Sequence, residues 1–240
     1  FGPNNVGRYE SGNYSSSNPL VRKALFIKNG TLKLTGYIKI PTLSEGDQVS
    51  GNGDYAIGQN ARLWIAGVDV EVFSTASSVN QIYGFTSSDS YPAQGVNAGS
   101  SNQAISVFGE FIISDGFFGT RNSAGFIFWS ATNAQVKIDG GTVNTAQIRS
   151  AHGGSGNASY TQTGGTVIVR GNKTEPGEVT TSYPIFGFDT PDGIFNMSGG
   201  EIIFYDRTGT NTNGLYIPSA EGNYNVTGGK ITIEVDSGND

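Results

Sequence analysis

Apolar and polar residues alternate along most of this chain, stop at a glycine, and resume with the same two-residue period. The clearest copies are residues 160–169 (YTQTGGTVIV), 195–204 (FNMSGGEIIF) and 224–233 (YNVTGGKITI). A fourth spans 136–143 (VKIDGGTV), and three earlier copies with a single glycine span 32–40, 63–72 and 105–113. The first glycine of each copy is Gly36, Gly67, Gly109, Gly140, Gly164, Gly199 and Gly228, with separations of 31, 42, 31, 24, 35 and 29 residues. Alternation of this kind marks a strand with one buried face. Glycine between two such strands permits a corner and a close backbone approach. A third apolar stretch precedes several corners, at 81–85, 126–129, 183–188 and 215–217. Each copy therefore predicts about three short strands, and a fixed motif at an irregular period predicts a stack whose loops vary in length.

The expected fold is all-β: a right-handed parallel β-helix, a solenoid of about seven coils over residues 24–235. At about 4.8 Å per coil it would be on the order of 35 Å long. Residues 1–23 are polar and read as an N-terminal cap or linker. Residues 236–240 read as a tail continuing into a longer protein. The lack of an initiating Met and of a signal peptide is the expected appearance of a processed protein or an excised fragment. The competing architecture is a β-sandwich or several small β domains, which would show hairpin signals at a much shorter spacing.

Composition sharpens this picture. Of 240 residues, 36 are Gly, 25 Ser, 21 Thr and 21 Asn. These are weak helix formers, so helix-rich folds are disfavoured. Low complexity is countered by 14 Phe, 11 Tyr and 2 Trp, enough to supply a core. There is no Cys, which excludes disulfides and thiolate metal or redox sites. A net charge of −6 provides no electrostatic footprint for nucleic acid. No apolar run approaches the roughly 18 residues of a membrane-spanning helix.

The phrases 193–202 (GIFNMSGGEI) and 222–231 (GNYNVTGGKI) resemble the repeats of bacterial right-handed β-helix surface proteins, including adhesins of the kind Bacteroidetes export by the type IX route. The resemblance covers roughly residues 24–235. It implies an exported, cell-surface chain that acts as an adhesin stalk or contacts glycans. Similar solenoids also carry polysaccharide lyases and hydrolases, and fold alone does not choose between these roles.

Candidate chemistry is sparse. The single His, His152, lies in a Gly-rich stretch. Asp189 and Asp192 form the best carboxylate pair for acid–base work on sugars, although Pro191 and Gly193 beside them equally suggest a turn. Asp69 and Glu71 alternate with Val68, Val70 and Val72 and are expected to face outward, with Glu110 and Glu201 near the same lateral column. Such a stack could hold a cation or simply be a solvated face. No cofactor is implied.

A binding or scaffold role fits the chain better. The long insertions 73–104, which holds Asp89 and Tyr91, and 170–182 are polar, and loops on a rigid scaffold carry recognition. Trp64 lies between Leu63 and Ile65 and should point out of the coil. The residues equated with it in the other copies are Lys33, Ser106, Lys137, Thr161, Asn196 and Asn225, all polar. An outward Trp in a polar row is either a sugar-stacking platform or covered by the long insertion. Ile112, Ile168 and Ile203 also take outward positions, after the corner. The ligand-binding candidates are thus Trp64, Lys33, Tyr91, Asp89, Asp189 and Asp192. The expected partners are a surface glycan or other domains of the same long protein.

Overall fold

The computed structural model describes residues 6–13, 20–40, 55–74, 77–78, 102–103, 105–120, 126–129, 134–145, 147–150, 158–169, 185–187, 193–205, 215–216 and 222–234. Among them every regular element is a strand: β1 (Val6–Asn13), β2 (Leu20–Leu34), β3 (Ile38–Ile40), β4 (Tyr55–Ser74), β5 (Ser77–Ser78), β6 (Asn102–Gln103), β7 (Ile105–Val107), β8 (Glu110–Thr120) and β9 (Phe126–Trp129). The second half contributes β10 (Gln135–Ile138), β11 (Thr142–Thr145), β12 (Gln147–Ser150), β13 (Ser159–Gln162), β14 (Thr166–Val169), β15 (Ile185–Gly187), β16 (Ile194–Tyr205), β17 (Leu215–Tyr216) and β18 (Tyr224–Glu234). The chain is all-β, and its pairings are parallel except for β1 with β2 and β5 with β6. Among the described residues no helix is long and apolar enough to cross a membrane.

The parallel pairs form three ladders. The first runs through residues 25–27 of β2, 55–57 of β4, β7, β9, β12, β15 and β17. The second runs through 31–34 of β2, 62–65 of β4, 110–113 of β8, β10, β13, 194–197 of β16 and 224–226 of β18. The third runs through β3, 70–72 of β4, 117–119 of β8, β11, β14, 201–204 of β16 and 230–233 of β18. Each ladder is thus seven levels deep, and at each level the chain visits the ladders in the same order. Because β8 and β16 run through the bend between the second and third ladders, they pair on both sides of it. The path β8–β10–β13–β16–β14–β11 accordingly returns to β8 as a closed six-strand parallel circuit.

Alternate side chains face the interior, as the two-residue period requires. In the second ladder Leu32, Leu63, Phe111, Val136, Tyr160 and Phe195 fall in one inward column and are buried. In the third, Val72, Phe118, Val143, Val167 and Ile202 do the same. Aromatic rings fill the space between ladders: Tyr160 stacks on Phe195 at 5.5 Å, and Phe186 meets them edge-on at 4.7 and 5.6 Å. Among the described residues two inward positions are polar, Thr145 and Gln162. Gln162 is fully buried, yet its Oε1 accepts from the Tyr160 hydroxyl at 2.8 Å and its Nε2 donates to the carbonyls of Gly164, Gly165 and Glu201 at 3.2–3.3 Å. Satisfied in this way, the amide avoids the cost of an unpaired buried polar group.

The corner glycines do two different jobs. At the first glycine of a pair, a side chain has no room: a Cβ on Gly164 would lie 2.4 Å from Asp139 O. The second, Gly165, has φ of 69°, a conformation that costs any L side chain about 1–2 kcal/mol. Gly140, Gly199 and Gly228 face a carbonyl of the previous level just as Gly164 does, at 2.2–2.4 Å. Gly36 stands at this bend with φ of 75°. Gly67 stands at the same bend in a longer corner, Ile65 to Val70 against Leu34 to Ile38 one level earlier.

Gly109 departs from the expectation. Ile113 pairs with Ile65 on one side and Ile138 on the other, so the corner of that level is Asp115-Gly116, with Gly116 at φ 83°. Gly109 instead occupies the bend between the first and second ladders, where a Cβ would lie 2.2 Å from Gly58 O. The physical reason is that any bend between two inward-phased strands produces the same alternation around a glycine. Residues 6–13, within the segment read as a cap or linker, form β1 and lie antiparallel to residues 20–27.

Candidate binding face on the second ladder

The outward positions of the second ladder bring together Lys33, Arg62, Trp64, Glu110 and Lys137. One column runs Lys33, Trp64, Ile112, Lys137, Thr161, Asn196, Asn225. This corrects the expected row at one level. Ile112 stands where Ser106 was placed, because Ser106 belongs to the first ladder and pairs with Ala56. Ile112 is buried, whereas Ile168 and Ile203 are partly buried on the third ladder's outer side.

Trp64 is partly buried and is held on two sides. Its Nε1–H donates to Ser114 Oγ at 2.8 Å, and the Lys33 ammonium sits 3.7 Å from the ring centroid. A cation there is attracted by the ring quadrupole. The two sequence candidates Lys33 and Trp64 are therefore brought together, and the ring face under Lys33 is occupied by the lysine. Of the insertion 73–104, the structure describes only short strand segments and the stretch at Gln103, and the segment around Asp89 and Tyr91 lies outside the described residues.

Beside Trp64 an ion-pair ladder crosses three levels. Glu110 accepts from Arg62 on the level before and from Lys137 on the level after. Burial alone would raise the Glu110 carboxyl; hydrogen bonds from Lys137 and Arg62, with their charges, outweigh it and hold the group below its ordinary range. Arg62 and Ser114 were not singled out from sequence, and Glu110 was expected in a lateral carboxylate column with Asp69, Glu71 and Glu201, not between Arg62 and Lys137. Their signal was available once the third copy is registered at Gly116, because residues 62, 110 and 114 then share the outward phase of Trp64 and Ile112.

The carboxylates do not converge. Glu110 is on the second ladder, whereas Glu201 lies across the corner on the third, in the column of Glu71, Phe117, Thr142, Thr166 and Lys230. Glu201 is paired with Lys230 at 2.8 Å, and the hydrogen bonds from Lys230 and Thr232 lower its pKa. Asp69 is exposed at the long corner. Among the described residues no group of His, Cys, Asp or Glu is placed to hold a metal ion. His152, Asp189, Asp192 and the insertion 170–182 lie outside the described residues. The second ladder carries cations, one indole and hydroxyl or amide groups in an outward row. Comparisons with protein families, curated proteins and solved structures found no match for this chain.

Proposed function

We propose that the chain is a right-handed parallel β-helix of seven coils that serves as a non-catalytic stalk or glycan-contacting surface of a large exported bacterial cell-surface protein. The observation that carries this reading is the register. Three ladders keep apolar side chains on the inward phase and leave an outward row of Lys33, Trp64, Ile112, Lys137, Thr161, Asn196 and Asn225, polar at every level but those of Trp64 and Ile112. Such a row is rigid and regularly spaced, which suits contact with an extended polymer. A surface glycan or neighbouring domains of the same protein are its partners.

In this reading Trp64 offers its ring to a sugar when the exposed Lys33 side chain swings aside, and the indole stays oriented by Ser114. Trp64→Ala should weaken binding on a glycan array by roughly tenfold, the upper range for one aromatic contact. Unchanged binding would refute the platform. Polysaccharide depolymerisation that Asp69→Asn abolishes would replace the non-catalytic reading with that of a carbohydrate-active enzyme.

A further inference from the structure

Lys33 and Trp64 are consecutive members of the outward row, one level apart, and the Lys33 ammonium stands 3.7 Å from the centre of the indole ring. Lys33 is exposed, whereas the indole is partly buried and its Nε1–H is fixed on Ser114 Oγ. A ligand that reaches for this ring therefore meets a positive charge first. The rest of the ladder adds to that charge. Among the described residues its outward strand positions carry three cations, Lys33, Arg62 and Lys137, and one carboxylate, Glu110, which Arg62 and Lys137 share. Three against one leaves a surplus of two positive charges on one face of a chain whose net charge is −6. The carboxylates Asp69, Asp115 and Asp139 stand beyond this face, at the bend into the third ladder. There Asp115 accepts from the Gly116 N–H and Asp139 from the Thr163 hydroxyl, both at 2.8 Å.

We propose that the ligand of this face is an acidic polysaccharide, one whose sugars carry carboxylates. The inference rests on the reading of the second ladder as a glycan-contacting surface and names the class of glycan. Its physical basis is the fate of Lys33 when a sugar takes the ring. A neutral sugar forfeits the contact between the ammonium and the ring quadrupole and returns only hydroxyl groups to the lysine. A uronic acid replaces that contact with a charge-assisted hydrogen bond from the ammonium to its carboxylate, the stronger kind. Its ring carbons meanwhile cover the indole. Lys137 lies further along the same row. An extended polymer on this row meets that second cation about 14 Å beyond Lys33, three levels on at about 4.8 Å each.

Calorimetric titration of the 240-residue chain with polygalacturonate, alginate and hyaluronan, each beside its methyl ester, tests the inference. Esterification removes the charge and keeps the sugars. At least one acidic polymer should bind several-fold more tightly than its ester, and the preference should fade as salt rises. Lys33→Gln should weaken binding of that acidic polymer about three- to fivefold, the size of one exposed ion pair, without weakening binding of the ester. Lys33 is exposed, so the far-UV circular dichroism of this variant should match wild type. Equal affinity for each acidic polymer and its ester overturns the inference and leaves the glycan reading standing. A preference that Lys33→Gln does not reduce has the same consequence. Poly-glutamate binding as tightly as the best acidic polysaccharide also overturns it, since the face would then be a general anion site. Binding of none of these polymers overturns it as well, and the glycan array with Trp64→Ala then decides the broader reading.

Discussion

The first and last levels of the stack carry the same motif in the same phase, yet they end in opposite states. At the first level Ile27, Leu32 and Leu34 are buried, and the outer edge of residues 20–27 is paired with β1. At the last level the equivalent apolar positions of β18 are exposed, and among the described residues β18 pairs with β16 alone. Phase thus selects which side chains face inward, but burial comes from the level above as much as from the level below. In a stack where each unit touches only its neighbours, stability is close to a sum of level-on-level contacts. An interior level makes two such contacts and the last level makes one.

Substitutions along one column should expose that difference most strongly. Phe195→Ala, in the sixth level, should cost about 3–5 kcal/mol in urea unfolding, the usual cost of truncating a fully buried Phe. Tyr224→Ala, its direct partner one level on, should cost less than about 1 kcal/mol. Equal losses would mean that the last level is covered in solution.

The glycines separate the two environments by a smaller margin. Gly165→Ala and Gly222→Ala both place a side chain at positive φ. At Gly165 the added carbon would also press on Gly140 O at 2.6 Å, whereas at Gly222 nothing lies within 4 Å. The expected costs are about 2–4 kcal/mol for the first and about 1 kcal/mol for the second, read as shifts of the unfolding midpoint. Gln162→Leu, inside the stack, should cost about 1–3 kcal/mol by stranding the Tyr160 hydroxyl. Adding Tyr160→Phe should recover part of that loss in a double-mutant cycle, because the stranded group is then gone.

The smallest effect is electrostatic. Glu110→Gln should cost about 1 kcal/mol at neutral pH, since both cations that bracket it are partly exposed and screened. The folded-state carboxyl of Glu110 is held below its unfolded value of about 4.3. Its contribution is therefore complete above that pH and is lost as the pH falls through the folded value. The stability gap between wild type and Glu110→Gln should close in acid. Glu201→Gln, near the open end, should leave the neutral-pH midpoint unchanged, because that pair is solvated.

Much of the fold was legible before any coordinates. The inward columns, the Gly-Gly corners and the outward placement of Trp64 and Lys33 all follow from alternation interrupted by glycine. The third copy was misread because Ile105-Ser106-Val107 and Phe111-Ile112-Ile113 flank Gly109 with the same alternation that flanks a corner. The better choice was visible in spacing, since Gly116 to Gly141 and Gly141 to Gly165 are 25 and 24 residues apart. That one shift moved Ser106 to the first ladder and put Ile112 in the row of Trp64 and Lys137. That Lys33 and Trp64 are neighbours in one outward row was legible; the Arg62–Glu110–Lys137 bridge was not while the third copy was registered at Gly109 instead of Gly116.

The sequence by itself determined the class of structure and the side of each strand that faces the core, because a two-residue period admits only two faces and the apolar residues occupy one. Only the tertiary structure decided which residues stand above one another. Register between levels is set by hydrogen bonds across loops of unequal length, and no local pattern counts those loops. The exposure of Tyr224, Val226, Ile231 and Ile233 belongs to the same category. Their sequence marks them as core, and only the lack of a strand pairing beyond β18 among the described residues makes them surface.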